Sequence, residues 1–180
     1  MLVSRDDILA IVVDIQERLF PHIAENEQLA TNSVKLLKGL KALDIEILVA
    51  QQYTKGIGDT IEPIREVLGE FNHMEKTTFS CCSDISALKN IKSKNKKFAI
   101  LLGIETHICV AQSALELLEN GITPILVADC TSSRKLYDKE IALDRLREAG
   151  VIVTTYEAIL FELCKNAKDG AFKEISKIVK

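Results

Sequence analysis

The stretch Lys97–Gly121, KFAILLGIETHICVAQSALELLENG, constrains the fold more than any other part of the chain. Phe98–Leu102 is a short, unbroken, β-competent apolar run, and Val110, Ala114, Leu117 and Leu118 then recur at helical spacing. A strand apolar on both faces that runs straight into an amphipathic helix is one unit of a parallel sheet covered by helices. The linking Gly103-Ile104-Glu105-Thr106 predicts a turn with Thr106 as the helix cap and Cys109 in the first helical turn. The amides left unpaired there, and the helix dipole, favour a thiolate. A buried cysteine by itself usually packs as a small hydrophobe, so a chemical role for Cys109 depends on its partners.

Two stretches offer partners. The strand ending in LAIVVDIQ is broken by Asp14, and the segment HMEKTTFS brings Lys76 in on a loop. In an open parallel sheet the carboxyl ends of the strands form the ligand crevice, and Asp14 and Cys109 both fall at such ends.

The rest of the chain repeats the unit. Strands are expected at Ile8–Ile15, Ile45–Ala50, Ile122–Ala128 and Val151–Thr155. Helices are expected from about Asn26 to Leu43, from Ser83 to about Ile91, and over Asp138–Ala149, Glu157–Lys165 and Ala171–Val179. Gln51–Asp59 reads as a polar loop before a short helix capped by Thr60, with Pro63 in its opening turn. Alternating strands and helices predict right-handed βαβ units and one parallel sheet. No linker, repeat or low-complexity tract divides the 180 residues, a length suited to one domain.

A charged fraction of 27% and a net charge of −3 give no basis for a nucleic-acid partner or an acidic membrane surface. No run of 18 or more apolar residues is present, and Ser4-Arg5-Asp6-Asp7 is not an apolar signal core, so a cytoplasmic protein is expected. The five cysteines lack CxxC spacing and read as reduced thiols. The Cys81-Cys82 pair has a redox and a packing reading, of which packing is the simpler; Cys130 and Cys164 read as packing.

Three motifs carry a family resemblance: Asp14-x-Gln16, Glu75-Lys76-x-x-Phe79-Ser80, and Gly103-x-x-Thr106-x-x-Cys109-Val110. In that order and spacing, from about Ile8 to about Leu163, the chain resembles the isochorismatase-like cysteine hydrolases. GIETHICV, VADCTSSR and QQYTKGIGDT are most similar to the isochorismatase domain-containing proteins. The resemblance implies a three-layer α/β/α sandwich with a central, mainly parallel sheet and the first strand in its middle. It implies a catalytic set of Asp14, Lys76 and Cys109, oxyanion donors in the amides of Glu105 and Cys109, a cis bond between Ile104 and Glu105, and a homo-oligomer.

Lowering a thiol by two units from about 8.5 takes about 2.7 kcal/mol. A helix terminus supplies about 0.3–1 kcal/mol and up to ~2, which leaves Lys76 to add the rest. Asp14, as the proton carrier, needs its carboxyl raised by burial. Gln16, Gln52 and Tyr53 are candidates to bind substrate, each equally at home on a loop rim. Phe20 and Phe79 are candidates for an apolar wall or for core packing. His107, two residues before Cys109, points to another side of a helix. Relatives acting on nicotinamide carry an aspartate and histidines after the second strand, where this chain reads AQQYTKGIGDT, so no metal is expected. No GxGxxG or phosphate loop calls for a cofactor. The expected function is metal-independent cleavage of a small carbonyl compound, an amide, through an acyl-cysteine. The alternatives are a scaffold retaining the pocket and a vinyl ether hydrolase of the isochorismatase type.

Overall fold

Strand β1 (Ile8–Val13) is ILAIVV, and every one of its residues is buried. Such a strand needs neighbours on both edges and cover on both faces, and a computed structural model describing residues 2–180 supplies them. Met1 lies outside the described residues. The remaining strands are β2 (Ile47–Gln52), β3 (His73–Lys76), β4 (Phe98–Ile104), β5 (Thr123–Ser132) and β6 (Ile152–Thr154). All pairings are parallel, in the order β3-β2-β1-β4-β5-β6. The order reverses between β1 and β4, and a crevice opens at that switch point beyond the strands' carboxyl ends.

Side chains alternate across the sheet and divide the core in two. Ile8, Ala10 and Val12 face one layer, formed by α1 (Asn26–Ala42), α3 (Glu62–Leu68), α7 (Tyr156–Cys164) and α8 (Phe172–Ile178). Leu9, Ile11 and Val13 face the other, formed by α4 (Ile85–Ser93), α5 (Ala111–Glu119) and α6 (Leu136–Glu148). The short α2 (Thr54–Ile57) lies between β2 and α3. At about 1.5–3 kcal/mol per buried aliphatic side chain, β1 alone contributes a large share of the hydrophobic stabilisation.

The differences from expectation gather at the crevice. Lys76 ends an edge strand and is not on a loop: β3 pairs with β2, with Gln52 opposite Lys76. HMEK lacks an apolar alternation because three of its four residues are not buried. β2 likewise continues through the polar Gln51 and Gln52, although Gln51 is buried, its Nε2 donating to Asp59 Oδ1 and Thr60 Oγ1. Thr60 does not cap α3; it bridges Gln16, and Ile61 holds the cap position, with Pro63 in the opening turn as expected. β5 runs on to Ser132 across a register shift, in which Leu101 pairs with Leu126 but Gly103 with Thr131. Bulges of this kind recur beside active sites.

Candidate active site

Asp14 is the first residue beyond β1, held at φ 52° in the left-handed region that aspartate tolerates better than most side chains. Its amide donates to Ala50 O at 3.2 Å and its carbonyl accepts from Gln16 N at 2.8 Å. The carboxylate is fully buried. Asp14 Oδ2 accepts from Lys76 Nζ at 2.6 Å, whereas Oδ1 has no hydrogen-bond partner among the described residues.

The Lys76 ammonium is enclosed by acceptors. Besides Asp14 it reaches Gln52 Oε1 at 2.7 Å, Phe79 O at 3.0 Å and Thr78 O at 3.3 Å. An ammonium has three protons and no acceptor, so this cage fixes its charge at a single place at the end of β3. Gln52 is clamped in turn: its Nε2 donates to Thr77 O at 3.0 Å, and its amide donates to Gln16 Oε1 at 2.7 Å.

Beyond β4, the segment Thr106–Val110 forms a wide turn in which Val110 N donates to Glu105 O at 3.2 Å, and the regular helix α5 starts only at Ala111. Such five-residue closures are frequent at functional sites. Thr106 is therefore not a helix cap. Thr131 Oγ1 donates to Gly103 O at 2.7 Å, so the Thr106 hydroxyl donates to Thr131 Oγ1 at 2.8 Å. The Ile104–Glu105 peptide bond is cis. The Glu105 side chain is held by Arg134, accepting from its amide at 2.8 Å and from Nε at 3.1 Å.

Cys109 is 6% exposed and packs in the same layer as Val13, Cys81 and Ala111. It is near enough to Asp14 that each perturbs the other's ionisation. Burial pushes Asp14 above the usual carboxylate range, with Lys76 pulling against it. Burial, followed by the charge on Asp14, pushes the Cys109 thiol up, again against Lys76. The expectation of a resting thiolate is thus corrected: desolvation and the Asp14 charge outweigh what Lys76 returns. Neighbouring Cys81, fully buried with its amide on Ser113 Oγ at 2.9 Å, is pushed up to about 11.

The other candidates separate by position. Tyr53 and Phe79 are 52% and 54% exposed and flank Lys76, since Tyr53 N donates to Lys76 O at 2.9 Å and Phe79 O accepts from its ammonium. Gln16 is fully buried, and its Nε2 donates to Gln52 O at 3.0 Å and Gly58 O at 2.7 Å, which commits it to tying loops together. Phe20 packs against the α1–α7 layer, on the sheet face opposite Cys109. Sequence reasoning passed over Thr131 and Arg134 as individual residues. Their signal was the polar run Thr131-Ser132-Ser133-Arg134 at the end of a buried strand. Among the described residues no group of three or more His, Cys, Asp and Glu converges as a metal site, and no helix is long and apolar enough to cross a membrane.

An open parallel sheet of this order, covered by helices on both faces, is the fold of the isochorismatase-like hydrolases. Residues 9–158 match the model of the Isochorismatase domain, and the chain belongs to that family. It is similar to isochorismatase family protein 1A of Dictyostelium discoideum, 37% identical over 177 residues that cover 96% of this chain and 85% of that one. Among solved structures it is similar to MAR1 ribonuclease from Caenorhabditis elegans, at TM-score 0.93 and 32% identity over 99% of this chain and 92% of that chain. Its fold also matches the Escherichia coli YcaC gene product, an octameric hydrolase of unknown specificity, at TM-score 0.92 and 19% identity over 99% and 90% of the two chains.

Proposed function

We propose that the chain is a metal-independent cysteine hydrolase that cleaves the C–N bond of a small amide through an acyl-cysteine on Cys109. The hydrolase class follows from the family. The finer reading is carried by one observation: Lys76 occupies one oxygen of Asp14, the other is buried without a hydrogen-bond partner among the described residues, and the carboxylate is near enough to Cys109 that each shifts the other's ionisation. A buried acceptor without a donor costs about 1–3 kcal/mol, and a proton arriving there removes that cost.

In this mechanism the substrate carbonyl enters between Tyr53 and Phe79. The Cys109 S–H proton passes to Asp14 Oδ1 as sulfur bonds to the carbonyl carbon, and the carbonyl π electrons move onto oxygen. The amides of Glu105 and Cys109 hold that oxyanion. Collapse breaks the C–N bond, and the amine leaves with the proton from Asp14. Water then attacks the thioester with Asp14 taking its proton, the acid departs, and the proton returns to sulfur. An unperturbed thiol and aspartate lie about 4.6 units apart, ~6 kcal/mol uphill for transfer alone, so proton transfer and attack occur together. Lys76 keeps Asp14 ionised against its burial.

The test is a panel of small amides incubated with protein and examined by intact mass. An acyl adduct on Cys109, absent in Cys109→Ala and accompanied by amine release, is the expected result. RNA belongs in the panel because of the C. elegans neighbour, and a vinyl ether such as isochorismate because of the family. Turnover of either that persists in Cys109→Ala would overturn the acyl-cysteine reading. The same reading takes the chain as a homo-oligomer, supported by the octameric E. coli neighbour.

A further inference from the structure

We infer that Arg134 is a positioning residue for acylation: its backbone amide and guanidinium hold the Glu105 carboxylate and, through it, the Glu105 amide that receives the oxyanion. The inference rests on the acyl-cysteine reading, which makes that amide a donor, and it assigns the residue that keeps the donor in place.

The chain leaves β5 through Thr131, Ser132, Ser133 and Arg134, and this run grips the segment that carries β4 into the Cys109 turn. Thr131 Oγ1 donates to Gly103 O and accepts from Thr106 Oγ1. Ser133 Oγ lies 2.9 Å from His107 Nδ1. Arg134 takes Glu105: its amide donates to Oε2 at 2.8 Å, and its Nε donates to both carboxylate oxygens at 3.1 Å. The hydroxyl contacts are between neutral groups or can be, whereas the grip on Glu105 is ionic and forked, the stronger kind of hydrogen bond.

Glu105 is only 4% exposed, so its carboxylate has almost no water to solvate it. A charge placed there has to be paired, and among the described residues Arg134 is its ion-pair partner. Without the guanidinium, the carboxylate regains hydration only by leaving its buried place, and the amide of the same residue turns with it. Its charge is also no longer neutralised, in the very residue whose amide faces a second developing negative charge. The Arg134 side chain is itself 57% exposed, so removing it takes away the cation without opening a hole in the core. A loss of this kind slows a step that builds an oxyanion and spares one that does not.

Two electrophiles separate such steps. p-Nitrophenyl acetate transfers its acetyl group to sulfur through a tetrahedral oxyanion and releases p-nitrophenolate, whereas iodoacetamide alkylates sulfur by direct displacement of iodide, with no oxyanion. Nitrophenolate release follows the first reaction, intact mass follows the second, and Cys109→Ala is the blank for both. Arg134→Ala is expected to slow acylation by about tenfold or more and to leave alkylation of Cys109 within about twofold of wild type. Arg134→Lys, which returns a cation without the Nε fork, is expected to recover part of the loss. The double variant Glu105→Ala with Arg134→Ala should acylate no more slowly than Glu105→Ala alone, because Arg134 acts only through that side chain. Should Arg134→Ala unfold, seen as alkylation of all five cysteines, Arg134→Gln and Arg134→Lys carry the same comparison. A wild type with no Cys109-dependent nitrophenolate release would overturn the acyl-cysteine reading and this role together. Acylation unimpaired in the Arg134 variants, acylation and alkylation slowed alike, or a loss that adds to that of Glu105→Ala would overturn the positioning role alone.

Discussion

Asp14 holds two opposed requirements in one carboxylate: it must be ionised to take a proton, and basic enough to want one. Full burial raises it, and the lysine 2.6 Å away limits the rise. Since the ionised form is the active one, kcat/KM for an amide substrate is expected to fall with acid through a pKa above the ordinary value of about 3.9. The alkaline side should stay flat to beyond pH 9, because the thiol is itself pushed up. A pH–rate profile reads both limbs. Replacing Lys76 by Met leaves the buried carboxylate without its cation, so the acid limb should move to higher pH. Folding responds with the same sign. A carboxyl raised above its unfolded value favours the folded state while protonated, and that contribution is lost as pH rises through the raised value. Lys76→Met should therefore lose about 3–5 kcal/mol at pH 7, with the deficit shrinking as pH is lowered towards 5. Urea titrations at the two pH values measure it; a pH-independent deficit would show that Lys76 acts through packing alone. Asp14, Lys76 and Cys109 could be picked out from sequence because each interrupts or follows an apolar run in a distinctive motif. The thiol's ionisation could not, because it turns on how much water the fold removes from Cys109.

The element that brings these groups together is the seam between β1 and β4, and Gly103 sets its width. With φ at +130° it adopts a backbone few other residues reach, and a Cβ there would lie 2.0 Å from Val13 O. That carbonyl belongs to the residue just before Asp14, so a side chain at Gly103 would push β1 away where the carboxylate must sit. Gly103→Ala is expected to cost about 3 kcal/mol or more, from strained φ plus the clash, and to reduce acyl-adduct formation on Cys109 by at least tenfold even at temperatures where the variant is folded. Thermal unfolding and intact-mass kinetics check the two effects separately. Buried elements were the legible ones: β1, β4 and α1 lie within two residues of their expected limits because their apolar patterns are continuous. Edge and crevice elements were not. β3 and the last residues of β2 and β5 carry polar side chains that interrupt the apolar pattern, and local pattern reads them as loop even where Gln51, Thr131 and Ser132 are buried. The wide turn before α5 was likewise invisible, since it depends on a backbone bond from Val110 to Glu105 that no side chain announces.

At the scale of the molecule, the parallel sheet forces two helical layers to share β1 and β4 as a common wall, so neither layer has a complete core alone. The fold class followed from the strand–helix alternation, whereas which helix covers which face depended on the strand order and was not written in any one segment. Shared strands couple the layers energetically: removing either exposes Ile8, Ala10 and Val12 or Leu9, Ile11 and Val13 to water. The native cysteines report on this coupling. Cys130 and Cys164 lie in the α1–α7 layer, and Cys81 and Cys82 in the α4–α6 layer, all at most 5% exposed. Burial both blocks reagents and disfavours thiolates, raising Cys81 to about 11 and Cys82 to about 12, so alkylation at pH 8 requires opening. In native protein iodoacetamide is expected to modify at most Cys109, the most exposed of the five, and in full denaturant all five. Between those limits the two pairs should become reactive at one and the same urea concentration, as peptide mass spectrometry of pulse-labelled samples would register. Two separated midpoints would mean that one helical layer leaves the sheet while the other stays, and that the wall formed by β1 and β4 is stable with one face uncovered.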